Sequence, residues 1–111
     1  MRFTVKLGDD ISGFSDIQSG DPHMGCAYGR LMITPSYRRI QEQCIKNREE
    51  WQTIVGLSVE VKGSKVDCAG GFQIVDFSPV FGIEAIELHM LGIISPKYSE
   101  LFPGDFEKEI Y

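Results

Sequence analysis

Residues 57 to 77 read LSVEVKGSKVDCAGGFQIVDF, and the fold turns on this stretch. Leu57, Val59 and Val61 alternate with Ser58, Glu60 and Lys62, the period of a strand with one buried face. Gly63-Ser64 supplies the positive φ of a two-residue hairpin turn, so Lys65 to Asp67 begins a return strand antiparallel to the first. Gly70-Gly71 interrupts that strand and predicts a bulge or kink near Cys68. Phe72 to Phe77 resumes it, and Ser78-Pro79 ends it.

Outward from this hairpin the periods change. Ile86, Leu88 and Met90 alternate with Ala85, Glu87, His89 and Leu91 in a further strand, after which Ser95-Pro96 opens a short helical turn through Leu101. Upstream, Thr34 reads as a helix N-cap and Pro35 as the first helical residue, where a missing N–H costs nothing. Tyr37, Ile40, Cys44 and Ile45 then recur at helical spacing, which predicts a helix to about Glu50, extended by Trp51 to Val55. Arg2 to Leu7 alternates as the first strand, and Gly25 to Ile33 is a second, with Cys26, Tyr28, Arg30 and Met32 on one face. Gly8 to Asp21 between them reads as a long polar connection pinned by Ile11, Phe14 and Ile17. With hairpins outnumbering helices and no repeated βαβ unit, the order predicts an α+β fold. Its expected form is a mostly antiparallel sheet of about five or six strands, with one main helix packed on a face and a short C-terminal helical turn.

A chain of 111 residues fits a single domain spanning 1–111, because domains of roughly 100 to 150 residues sustain one core. Gly, Pro or Ser breaks every uncharged run well before the roughly 20 residues that span a bilayer, and Arg2 is not followed by an apolar signal core. Three cysteines, an odd number, do not make a disulfide framework, so reduced thiols in a cytoplasmic protein are the expectation. The net charge of −5 repels phosphates and anionic lipid, which disfavours direct binding to nucleic acid or membrane and favours a basic partner.

The acids are segregated. Residues 8 to 29 carry Asp9, Asp10, Asp16 and Asp21, and residues 66 to 91 carry Asp67, Asp76, Glu84 and Glu87, with no Lys or Arg in either stretch. Cations gather around the helix as Arg30, Arg38, Arg39, Lys46 and Arg48. The two acidic runs are expected to converge into one electronegative surface.

Motifs for chemistry are sparse. Cys68 before Ala69-Gly70-Gly71, or Cys26, with His23 or His89 as base, is the one candidate nucleophile set, and a buried, inert cysteine is the simpler reading. His23 and Cys26 have ligand spacing, but no second pair completes a metal site. Glu84 and Glu87 stand an odd number apart and would face opposite sides of a strand, against an acid–base pair. No phosphate loop, dinucleotide fingerprint or nucleophile elbow is present. Tyr28, Arg30, Tyr37, Arg38 and Arg39 are the only cluster suited to stacking a nucleic acid strand, against the global charge. No catalytic residue, metal or cofactor is therefore assigned.

An acidic domain can act by occlusion, its charge speeding encounter with a cationic surface and buried aromatics setting residence time. In size, acidity, the Pro-started helix at Thr34-Pro35 and the strand-rich second half with Gly70-Gly71-Phe72 and Asp76-Phe77-Ser78, the chain resembles the small immunity proteins of bacterial toxin–immunity pairs, including those of contact-dependent growth inhibition. The resemblance implies a cytoplasmic antidote, monomeric or weakly dimeric, that covers a cognate basic toxin domain, often an RNase or DNase. On charge alone, its partner-binding residues are expected among Asp9, Asp10, Asp16, Asp21, Glu84, Glu87, Asp105, Glu107 and Glu109. The alternatives are a small Cys/His-dependent enzyme and a self-associating module using a sheet edge or the Trp51 region.

Overall fold

Strand-period sequence dominates the computed structural model, which describes residues 2–17, 19–50 and 54–102. Among these residues the strands are β1 (Phe3–Leu7), β2 (Asp10–Ser15), β3 (Ser19–Asp21), β4 (Cys26–Arg30), β5 (Met32–Ile33), β6 (Leu57–Val61), β7 (Ser64–Lys65), β8 (Asp67–Asp76) and β9 (Ile86–Ser95). They form two antiparallel sheets, ordered β5-β2-β1-β6-β7 and β3-β4-β9-β8, with short helices between them. The fold is α+β, as the hairpin-rich order predicts, but its strands divide between two sheets where one was expected. Alternation tells which side of a strand is buried and does not tell which strand it pairs with.

The chain changes sheet three times, first between β2 and β3 and then twice at single buried residues. Leu31 links β4 to β5 and donates its N–H to the Ile86 carbonyl at 2.8 Å. Val66 links β7 to β8 and donates to Val59 at 2.8 Å. Phe3, Val5, Val59 and Val61 from one sheet, and Ala27, Ile74, Ile86, Leu88 and Met90 from the other, join one core cluster. No helix of the described residues is long and apolar enough to cross a membrane.

Three local readings shift. The hairpin turn is Lys62-Gly63, since Val61 pairs with Ser64, and both turn residues have positive φ, 50° and 78°, the two-residue turn whose twist suits paired strands. The bulge falls where the glycines put it, with the β8–β9 register slipping between Cys68 and Gly71. The expected connection Gly8 to Asp21 is instead β2 and β3. Its alternation is hidden because small residues fill its inward sites: a Cβ on Gly13 would stand 2.8 Å from Leu31 Cδ1, and buried Ser12 sits where the β1–β2 register shifts.

The main helix is shorter than its apolar stripe. Pro35–Arg39 is a 3-10 turn, α1 spans Gln41–Lys46, and bonds from Arg48 N–H to Ile45 and from Glu49 N–H to Lys46 mark its unwinding. The residues Trp51 to Thr53 of its expected extension lie outside the described residues. Tyr37, Ile40 and Cys44 are buried, as their spacing predicts. Asn47 continues the stripe, and its Nδ2 donates to the Ile74 carbonyl at 2.9 Å, satisfying an acceptor on β8, the outermost strand of its sheet. The expected C-terminal turn is α3 (Tyr98–Leu101), with Tyr98 and Leu101 in the core.

One carboxylate is part of this architecture. Asp76, at the end of β8, is fully buried. It accepts bonds from Tyr37 Oη at 2.6 Å, the Ser78 N–H at 2.7 Å and Gln41 Nε2 at 3.4 Å. Burial first, then the bond to Asp76, raises the Tyr37 phenol far above its ordinary range. Burial likewise pushes the Cys44 thiol up to about 12.

Candidate functional site

The acids expected to bind a partner do not share one surface. Asp9 lies in the β1–β2 turn and Asp10 opens β2, paired with Arg39. Asp16 follows the far end of the same strand, paired with Arg2 at 3.2 Å, so at ~3.4 Å per residue it stands about 20 Å along the strand from Asp10. Asp21 ends β3 in the other sheet, and its Oδ1 accepts the N–H groups of His23 and Met24 at 3.1 and 3.4 Å, a turn-forming use of Asp. Glu84 and Glu87 do come together, on the four-stranded sheet. Asp105, Glu107 and Glu109 fall outside the described residues.

Convergence of the two runs is thus corrected, for a physical reason. Acids unopposed along the sequence are opposed in space, because strand pairing and the helix bring Arg2, Arg39, Arg30 and His89 to Asp16, Asp10, Glu84 and Glu87.

Register builds the site that remains. Ser19 pairs with Tyr28, Tyr28 with His89, and His89 with Gln73, giving one row across all four strands, and directly paired residues share a face. Arg30 pairs with Glu87 in the neighbouring row. The opposite face, with Ala27, Leu88 and Met90, is core. His89 Nε2 lies 3.0 Å from Glu87 Oε1. The Tyr28 and His89 rings meet edge to face, with centroids 5.0 Å apart. Glu84 enters from the turn Ile83–Ala85, its Oε1 3.9 Å from Arg30 Nη1. Ser19, Tyr28, Gly29, Arg30, Glu84 and Glu87 line an open cavity of about 310 Å³.

Glu84 keeps most of its accessibility in this ion pair, with the side chains 79% and 45% exposed for Glu84 and Arg30, so solvent screens the attraction and an incoming cation can replace Arg30. A guanidinium or ammonium seated here would meet two carboxylates and the Tyr28 ring, combining charge-assisted hydrogen bonds with a cation–π contact. The odd spacing of Glu84 and Glu87 does not separate them, since Glu84 precedes β9.

Sequence reasoning missed Tyr28, Arg30 and Ser19 as partners of these acids. The alternation of Tyr28 with Arg30 was visible, but their register against β9 was not. The nucleic-acid cluster dissolves, because Tyr37 is buried against Asp76, away from Tyr28. The Cys68 thiol is pushed up to about 12 by burial and then by Asp67, Cys26 donates to the Met24 carbonyl at 3.6 Å, and His23 is exposed in the β3–β4 turn. Among the described residues no group of three or more His, Cys, Asp or Glu is placed to hold a metal ion.

Fold and site together define an α+β protein of two antiparallel sheets, one of which carries an acidic and aromatic cavity on its outer face. No protein-family model, curated protein or solved structure matches the chain.

Proposed function

We propose that this protein is an immunity-type inhibitor that binds a cognate cationic toxin domain, of the nuclease class, and covers its active site. The observation that carries the reading is the convergence of Glu84, Glu87 and Tyr28, with Arg30 among them, around one open cavity on the four-stranded sheet. Nuclease surfaces are basic because they hold phosphates, so a Lys or Arg from such a surface finds its counter-charges here. The net charge of −5 adds long-range attraction that raises the encounter rate. Of the nine acids, Glu84 and Glu87 are the two that line this cavity, with Tyr28 beside them, while Asp105, Glu107 and Glu109 lie outside the described residues.

The self-association alternative would have to use β8. The outer strands β5, β7 and β3 span only two, two and three residues, whereas β8 is an outer strand of 10 residues with its Ile74 carbonyl taken by Asn47. Trp51 lies outside the described residues. Of the two cysteines named for the thiol-enzyme alternative, Cys68 has its thiol pushed up to about 12 by burial and Asp67, against an ionised nucleophile there, and Cys26 is buried with its thiol on the Met24 carbonyl.

Titrating the purified protein into a panel of cationic RNase and DNase toxin domains at low salt tests the reading. It predicts a stoichiometric complex with one of them, loss of nuclease activity, and weakening of the complex by E84K/E87K. Free nuclease activity throughout the panel would remove it.

A further inference from the structure

Between β8 and β9 the chain leaves the sheet as a closed loop. Phe77 N–H donates to the Ala85 carbonyl at 2.9 Å across its neck, and Asp76 holds Ser78 N–H at 2.7 Å. Inside, α2 (Ser78–Phe81) makes one turn, Gly82 turns the chain back at φ 90°, a conformation that glycine adopts readily, and Ala85 N–H closes on Gly82 at 3.0 Å.

The tip of this braced loop is apolar. Val80, Phe81 and Ile83 are 67%, 74% and 59% exposed. Single apolar side chains on a surface are ordinary, but three within four residues make a patch of the kind that marks an interaction site. A loop already fixed by its own hydrogen bonds loses little freedom on docking, and aromatic residues, Phe among them, are enriched in the buried core of interfaces.

Charge identifies what covers it. Glu84 and Glu87 follow immediately, and Arg30, 3.9 Å from Glu84, offsets only one of these two charges. A contact between copies would bring together two chains that each carry −5. We propose that Val80, Phe81 and Ile83 are the apolar anchor of the interface, inserting into an apolar pocket rimmed by Lys or Arg on the cationic protein that Glu84 and Glu87 engage. This rests on the inhibitor reading and adds the group that sets residence time.

The probe is the cationic nuclease toxin domain that the wild-type chain binds, with association and dissociation rates measured for F81A, for V80S/I83S and for E84Q/E87Q. Both apolar variants are expected to weaken the complex at least about tenfold, chiefly through faster dissociation and equally at low and high salt. E84Q/E87Q should slow association in a salt-dependent way. Because the altered side chains are exposed, melting curves should stay at the wild-type position, and V80S/I83S decides the matter if F81A fails to fold. Wild-type rates in the apolar variants, with E84Q/E87Q still impaired, would overturn the anchor and leave the inhibitor reading intact. A wild-type chain that binds no domain of the panel removes both. A dimer in sedimentation that F81A dissolves would assign the patch to a second copy and overturn the proposal.

Discussion

Asp76 and Glu84 lie on the same connection and carry the same functional group, yet they belong to different regions of the molecule. Asp76 is fully buried and accepts hydrogen bonds from two side chains and one N–H. Glu84 is largely exposed, 3.9 Å from Arg30. A buried carboxylate survives only if its surroundings satisfy it, so Asp76 organises the turn, α1 and the loop neck. An exposed carboxylate costs nothing to keep and does little for stability, so it is free to serve a partner.

The severest attack on this contrast is Asp76→Ala. It strands the Tyr37 hydroxyl in the interior and leaves the half-buried Ser78 N–H without its acceptor, each costing roughly 1 to 3 kcal/mol. A loss of about 4 kcal/mol in urea unfolding is expected, a large fraction of the stability of a small domain. A loss below 1 kcal/mol would mean that the neck does not depend on Asp76. Tyr37→Phe removes one donor and leaves Ser78 and Gln41 on the carboxylate, so about 2 kcal/mol is expected by the same measurement.

How far this contrast could be read from the residues depends on what each signal encodes. Hairpin periodicity and Gly63 placed β6 and the start of its return strand within one residue, and Gly70-Gly71 marked the bulge, because these features are local. The return strand expected to run on to Phe77, however, leaves the first sheet after Lys65. The two-sheet division hinges on Leu31 and Val66, apolar residues that look like any other in a strand. Asp76 read as one more member of an acidic run, and only the packing of Tyr37 against it reveals its burial. Glu84 and Glu87 were named for their charge but expected on opposite faces of one strand, because the turn that places Glu84 ahead of β9 was not read. Arg30 and Tyr28 reach them through a register that no short-range pattern contains.

Alkaline pH separates the regions without a mutation. The Cys44 thiol is pushed up to about 12 when folded against an ordinary value near 8.5, so above that value the unfolded chain releases a proton that the folded chain keeps. Stability is then fully present below about pH 8.5 and declines as pH rises toward 12, with a slope approaching 1.4 kcal/mol per pH unit for this group. The raised Tyr37 phenol adds the same sign once pH passes its ordinary value near 10. Urea midpoints between pH 8 and 10.5 should therefore fall, and Cys44→Ala, lower in stability at pH 8, should flatten the decline. An unchanged slope in that variant would move the effect away from the buried stripe.

The gentlest perturbation sharpens the contrast most. Glu84→Gln with Glu87→Gln removes two charges and breaks the contacts to Arg30 and His89, but these pairs sit in screening solvent, where such contacts contribute under about 0.5 kcal/mol each. The unfolding midpoint should therefore barely move, while the affinity for a cationic domain falls and loses part of its dependence on salt. If the double variant instead unfolded as readily as Asp76→Ala, the cavity would be architecture like the neck. Glu84 and Glu87 would then be held for the fold and could not be spared for a partner, and only the apolar tip of the loop would remain as a surface without a structural task.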